Sequence, residues 1–177
     1  QTPHDMQPPE VKKTGKRAKT PEQALAALMR LCARAEKSQD DARQLMRGWG
    51  LAEREGEQVL ARLVRDRFID DGRYAEAFVR DKLRLSGWGE YKIRTALQRK
   101  RIDRELIDAA LAQADRQDMA GRLRQQLERK MRTTRHTTQY ELKTKLIRYG
   151  LSLGYDYETV LDSAAALVTD TETCDEF

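Results

Sequence analysis

Ser38-Gln39-Asp40-Asp41-Ala42-Arg43-Gln44-Leu45-Met46-Arg47-Gly48-Trp49-Gly50 opens on a hydroxyl residue, sets an acid three places later and closes on glycines. Ser38 and Asp41 have capping-box spacing, in which each side chain satisfies an N–H that the start of a helix leaves unpaired. Ala42, Leu45, Met46 and Trp49 then recur at helical spacing, and Gly48 and Gly50 punctuate the end.

This stretch returns twice. A shift of 51 residues places Ala42 on Ile93, Met46 on Leu97, Leu51 on Ile102 and Leu60 on Leu111. A further shift of 49 places Ile93 on Leu142 and Leu97 on Leu146, and the N-cap positions Ser38, Gly89 and Thr138 keep step. Thr138 and Glu141 repeat the capping box. The preceding helices align at a shift of 50, with Leu25 on Ala75, Leu28 on Phe78 and Met29 on Val79. Caps, apolar pairs and loop lengths that coincide over three units mark an internal repeat.

Working outward, Thr20-Pro21-Glu22-Gln23 is another helix start, followed by Ala24, Leu25, Leu28, Met29 and Cys32 at helical spacing. Cys32 is read as a small core residue. Val59, Leu60, Leu63 and Val64 make a third helix, which Phe68 and Ile69 close; Gly56 is expected to delay its start, since an interior glycine costs about 0.5–1 kcal/mol against alanine. The second unit is predicted to have helices over 71–85, 89–100 and 103–114, the third over 118–132, 138–149 and 156–168. Leu151-Ser152-Leu153-Gly154 reads as an insertion. The expected fold is all-α: three tandem three-helix repeats, over 20–69, 70–114 and 115–168, stacked into an elongated, curved array. A unit of about 50 residues buries too little to stand alone, so neighbours are expected to share apolar faces.

Composition agrees. Of 177 residues, 36% are charged and 6% aromatic, with four prolines, which disfavours a sandwich or barrel. Mean hydropathy is −0.82, and no apolar run approaches a membrane span of about 20 residues. Two cysteines, Cys32 and Cys174, exclude a disulfide scaffold and a multi-cysteine metal site. The N-terminus is polar, then basic, without the apolar core of a signal peptide, so a cytoplasmic chain is expected. Gln1 in place of a start methionine points to a trimmed chain. Residues 1–19 are read as a disordered basic arm, either a solvated tail or an electrostatic arm, and 169–177 as an acidic tail.

Chemistry for catalysis is missing. His4 and His136 lack the neighbours that nucleophilic catalysis requires, and the chain has no P-loop, GxGxxG or HExxH motif. The Asp70-Asp71 pair suits a helix start. No catalytic residue, metal site or cofactor is expected. Charge is more informative. The net +5 conceals ten basic against four acidic residues over 115–149, and seven acidic with no basic residue over 150–177. Arg43 and Arg47 in the first middle helix, Lys92, Arg94, Arg99 and Lys100 in the second, and Lys143, Lys145 and Arg148 in the third are the candidate binding residues. Because the units repeat, these cations should recur along one side, facing a nucleic-acid backbone or an acidic protein surface. Few aromatics accompany them, so single-strand stacking platforms are not evident.

Phe68-Ile69-Asp70-Asp71-Gly72-Arg73-Tyr74-Ala75-Glu76-Ala77-Phe78-Val79-Arg80 resembles the (L/I)DD-x-RYA-x-x-F(V/I) signature of RecX regulatory proteins. Gly87-Trp88-Gly89, Ile93-Arg94, Leu97 and the stretch from Ile102 to Ile107 follow in the order that family uses. Two departures are Gly56, where the family has an apolar residue, and Arg101, where it has the glycine of a left-handed cap. The resemblance implies three tandem three-helix repeats and a non-enzymatic, monomeric regulator. It implies binding to RecA on single-stranded DNA and inhibition of RecA's recombinase, ATPase and coprotease activities, modulating homologous recombination and the SOS response. The alternative is a helical-repeat protein that binds nucleic acid directly through its basic face. Of the signature residues, Asp70 or Asp71 is expected to cap a helix, Arg73 to pair locally, and Tyr74 and Phe78 to join unit one to unit two.

Overall fold

Each sequence repeat folds around its own apolar cluster. The computed structural model describes residues 17–169, so most of the basic arm and of the acidic tail, Cys174 included, lies outside the described residues. Unit one holds α1 (Pro21–Arg34), α2 (Gln39–Gly48) and α3 (Glu53–Arg65). Unit two holds α4 (Asp71–Asp81), which runs into a π-helical turn over Lys82–Ser86, then α5 (Glu90–Arg99) and α6 (Arg104–Ala112). Unit three holds α7 (Arg116–Thr133), α8 (Gln139–Ser152) and α9 (Tyr157–Leu167). No strand occurs among the described residues. The chain is an all-α helical-repeat protein.

The buried residues repeat the sequence pattern. Ala42/Met46, Ile93/Leu97 and Leu142/Leu146 are the inward pairs of the three middle helices. In the first helices the buried pairs are Ala24/Leu28, Ala75/Val79 and Leu123/Leu127, so units one and two align there at 51 rather than at the expected 50. Each middle helix ends alike. Gly50, Arg101 and Gly154 take left-handed backbone, with φ of 82°, 56° and 96°. The following amides of Leu51, Ile102 and Tyr155 donate back to the carbonyls of Met46, Leu97 and Gly150 at 3.1, 3.2 and 3.4 Å, a Schellman closure. Arg101 therefore keeps the left-handed cap without the family's glycine.

Three further expectations are corrected. Helix α3 starts at Glu53, not late: Gly56 is buried against Met46, and burial of Val59, Leu60 and Leu63 outweighs its modest propensity cost. Residues 151–152 continue α8 as helix, with Gly154 ending it, so the supposed insertion is largely extra helix. Glu141 does not complete a box with Thr138. Thr138 Oγ1 caps the Glu141 N–H at 3.1 Å, but the glutamate, one methylene longer than Asp41, reaches past it to the Thr137 N–H at 3.0 Å.

Among the described residues, neighbouring units share no apolar cluster. The three clusters, within 24–69, 75–111 and 119–168, are separate, and the joints between units are polar. Both joints form at the start of a middle helix, where backbone N–H groups need partners.

Candidate functional site

The recurring cations divide into structural ties and outward groups. Arg43 Nε donates to Glu57 Oε1 at 2.8 Å, and 51 residues on, Arg94 donates to Asp108 Oδ1 at 2.6 Å. The same staple thus joins middle to third helix in units one and two. Arg94 also reaches Glu90 at 3.2 Å and is three-quarters buried. These carboxylates hold both guanidinium pKa values above their ordinary range.

Lys100 is likewise tied. At the joint of units one and two its Nζ donates to Asp41 Oδ1 at 2.6 Å and lies 5.6 Å over the Tyr74 ring. Asp41 Oδ2 meanwhile accepts from the Ser38 N–H at 3.0 Å, so one carboxylate caps α2 and anchors unit two. Burial alone would raise the Asp41 pKa, but its bonds to Lys100 and Ser38 hold it below the ordinary carboxylate value. Burial opposes the Lys100 charge, yet Asp41 lifts that pKa above the usual lysine value.

The signature residues build this joint. Asp70 Oδ1 caps α4 by accepting from the Arg73 N–H at 3.0 Å. Asp71 crosses to unit one, where its Oδ1 accepts from the Gln39 N–H at 2.8 Å, and burial pushes its carboxyl upward in pKa. Arg73 is not a purely local partner: besides the carbonyls of Arg67 and Phe68 it bonds Glu36 of unit one at 2.6 Å. Tyr74 faces the joint through Lys100. Phe78 does not span it; it packs within unit two, edge-on to Trp88 with ring centres 6.3 Å apart.

The joint of units two and three is made of backbone. The Gly89 N–H donates to the Leu153 carbonyl at 2.7 Å, and the Tyr91 N–H to the Gly154 carbonyl at 3.0 Å. Unpaired amides at the start of α5 thus meet unpaired carbonyls at the end of α8, with helix dipoles end to end. A Cβ at Gly89 would lie 2.6 Å from the Gly154 carbonyl carbon, and one at Gly154 would lie 2.4 Å from Lys92 Cβ. Only glycine allows this approach. Lys92 is exposed beside the joint, its Nζ 4.6 Å over the Trp88 ring.

The remaining candidates are distributed over the units. Arg47, Arg99 and Arg148 are exposed on the three middle helices, and Arg99 and Arg148 each lie two residues past a buried leucine. Lys143 is partly buried. Lys145 Nζ bonds the Arg135 carbonyl at 2.7 Å and Glu141 at 2.9 Å, and Arg148 shares an open cleft with it. The Thr137 N–H, Lys145 and the Thr137 hydroxyl hold the Glu141 carboxyl at a pKa of about 2. His136 is exposed, with Nδ1 3.2 Å from the Thr134 carbonyl. Among the described residues no group of three or more His, Cys, Asp or Glu could hold a metal ion, and no helix is long and apolar enough to cross a membrane.

Two family models match this chain: that of the second three-helix domain of RecX over residues 70–111, and that of the third over 117–162. The chain belongs to the RecX family. The regulatory protein RecX of Clostridium beijerinckii is 30% identical over 133 residues, covering 73% of this chain and 61% of that protein. RecX of Streptomyces coelicolor is 28% identical over 155 residues, covering 85% and 82%. Against RecX of Clostridium botulinum the chain spans about half of the relative's length, 45%, at 33% identity. The crystal structure of RecX from Lactobacillus salivarius superposes with a TM-score of 0.73 over 84% of this chain and 96% of that one, at 18% identity, which shows the shared fold. These relatives are named regulatory proteins. The RecX signature in this chain lies at a joint between repeats, where it positions the units. Sequence reading missed that each joint caps a middle helix with groups from the following unit; the signal was the cap of α5, a glycine with no side chain to offer.

Proposed function

We propose that this chain binds RecA on single-stranded DNA and restrains its recombinase, ATPase and coprotease activities, modulating homologous recombination and the SOS response. The observation that carries the reading is the combination of RecX repeats with exposed Arg47, Arg99 and Arg148 on successive middle helices, flanked by Lys92, Lys143 and Lys145. We assign Arg43, Arg94 and Lys100 to internal ties rather than to the partner surface. A row of units with polar joints suits a partner that itself repeats, because each unit presents its middle helix anew.

The test is RecA's ATP hydrolysis on single-stranded DNA with substoichiometric chain. The rate should fall, and Lys92→Glu, Arg99→Glu and Arg148→Glu together should restore it while the helical signal persists. An unchanged rate with wild-type chain contradicts the proposal. The second reading, direct nucleic-acid binding, is favoured by the excess of cations over 115–149.

A further inference from the structure

Three clefts on this molecule carry both signs of charge. The cleft at the joint of units two and three, about 410 Å³, includes Glu90 and Asp156 beside Arg116. The cleft by Arg94 includes Glu90 and Asp108. The cleft between the end of α7 and the second half of α8 differs: about 490 Å³ in volume, it draws in Lys130, Lys145 and Arg148 and is lined by no carboxylate.

We propose that this α7–α8 cleft is a phosphate-binding site that takes the phosphodiester backbone of a nucleic-acid strand. It deepens the nucleic-acid side of the function proposed above and rests on that side of the reading, not on contact with RecA.

Three features of the cleft favour a strand backbone over a free nucleotide. Its threonine and serine hydroxyl protons are already used: Thr133 and Thr134 donate to the Lys130 carbonyl at 3.2 and 2.5 Å, and Ser152 donates to the Tyr149 carbonyl at 2.6 Å. The charged heads are therefore the main donors for an incoming anion. The aromatic face that could stack a base is occupied, since Lys130 Nζ lies 5.0 Å over the Tyr149 ring. Lys145 is held at the rim by Glu141 and the Arg135 carbonyl, and its positive charge stays fixed beside Arg148. Point charges without base-edge or stacking groups recognise the backbone of a strand independently of sequence. Lys130 is a site residue outside the candidates read from the sequence.

The experiment measures binding of a fluorescent oligothymidylate to the full chain, without RecA, across a salt series. Wild type should bind with a negative slope of log K against log salt. Lys130→Gln with Arg148→Gln should make that slope shallower by about 1.4, at roughly 0.7 per lost phosphate contact on a single strand. The helical circular dichroism should not change. Arg30→Gln with Arg54→Gln, the same charge loss on exposed positions of unit one, should leave the slope as it is. Millimolar ATP or inorganic phosphate should displace the strand only weakly. The proposal is overturned if wild type does not bind at low salt, if the cleft variant keeps the wild-type slope, or if the unit-one variant loses as much. Efficient displacement by ATP would overturn the strand assignment in favour of a nucleotide site. A wild-type chain that binds the strand yet leaves RecA's ATPase untouched would sink the RecA reading and spare this one. Normal RecA inhibition with an unchanged slope in the cleft variant would do the reverse.

Discussion

The two joints of this molecule do the same task with different chemistry. Each caps the start of a middle helix with groups from the next unit. Between units one and two the groups are side chains: Asp71 on the Gln39 N–H, Lys100 on Asp41 and Arg73 on Glu36. Between units two and three they are backbone carbonyls of Leu153 and Gly154, reached because two glycines let the chains touch. Long side chains in ion pairs respond to salt and pH and tolerate movement. Backbone bonds at glycine contacts do neither. Units two and three, which carry the most basic segment, are therefore expected to stay joined at any salt, while unit one is latched to them. The third middle helix has no following unit among the described residues, and Thr138 and Glu141 cap it locally.

The sharpest way to break the comparison is Gly154→Ala. Its Cβ would overlap Lys92 at a φ of +96°, so the change should cost about 2–5 kcal/mol, summing overpacking and left-handed strain. Urea unfolding followed in unit three should register it. Next is a double-mutant cycle on Asp41→Asn and Lys100→Met. The pair is partly exposed, so coupling should be about 1 kcal/mol and shrink in high salt. A coupling that ignores salt would remove the electrostatic account of this joint.

The latch also predicts a pH window. The folded pKa of Asp41 is lowered, so its stabilisation is present above the unfolded value of about 3.9 and is lost as pH falls through the folded one. That of Lys100 is raised, so its share is present below about 10.4 and is lost as pH rises through the folded value. Asp71 works in the opposite sense: burial raises its pKa, so its ionisation on raising the pH weakens the fold. Asp71→Asn, which keeps an acceptor for Gln39, should therefore be neutral or slightly stabilising in thermal melts near neutral pH. Smallest are two changes within units. Gly56→Ala should gain about 0.5–1 kcal/mol, because the added Cβ would meet Met46 at an ordinary 3.8 Å. Arg101→Gly should gain about as much by relieving a φ of +56°, offset in part by glycine's freedom in the unfolded chain.

Local chemistry made most of the fold legible. The capping boxes at Thr20 and Ser38, the inward pairs of the middle helices and the three-unit period all follow from short-range patterns. Misreadings arose where distant residues decide. Arg43 and Arg94 recur at the repeat spacing, which invited a partner-facing reading, yet each meets a carboxylate 14 residues on. Lys100 reaches 59 residues back to Asp41, and no local pattern announces that. Gly89 reads as a weak cap in isolation and becomes necessary only when α8 arrives against it. The cleft at Lys130, Lys145 and Arg148 needs α7 and α8 side by side before its charges converge.

The expectation that units two and three stay joined while unit one is latched is tested most directly by amide exchange of the chain, alone and mixed with RecA on single-stranded DNA. The Gly89 and Tyr91 amides should exchange as slowly as those of Leu97 and Leu146 in both states and at any salt. The Gln39 amide should quicken in high salt, and binding should slow exchange around Arg99 and Arg148. Gly89 and Tyr91 amides that exchange like those of an exposed loop, or a filament that changes exchange nowhere on the chain, would contradict the account.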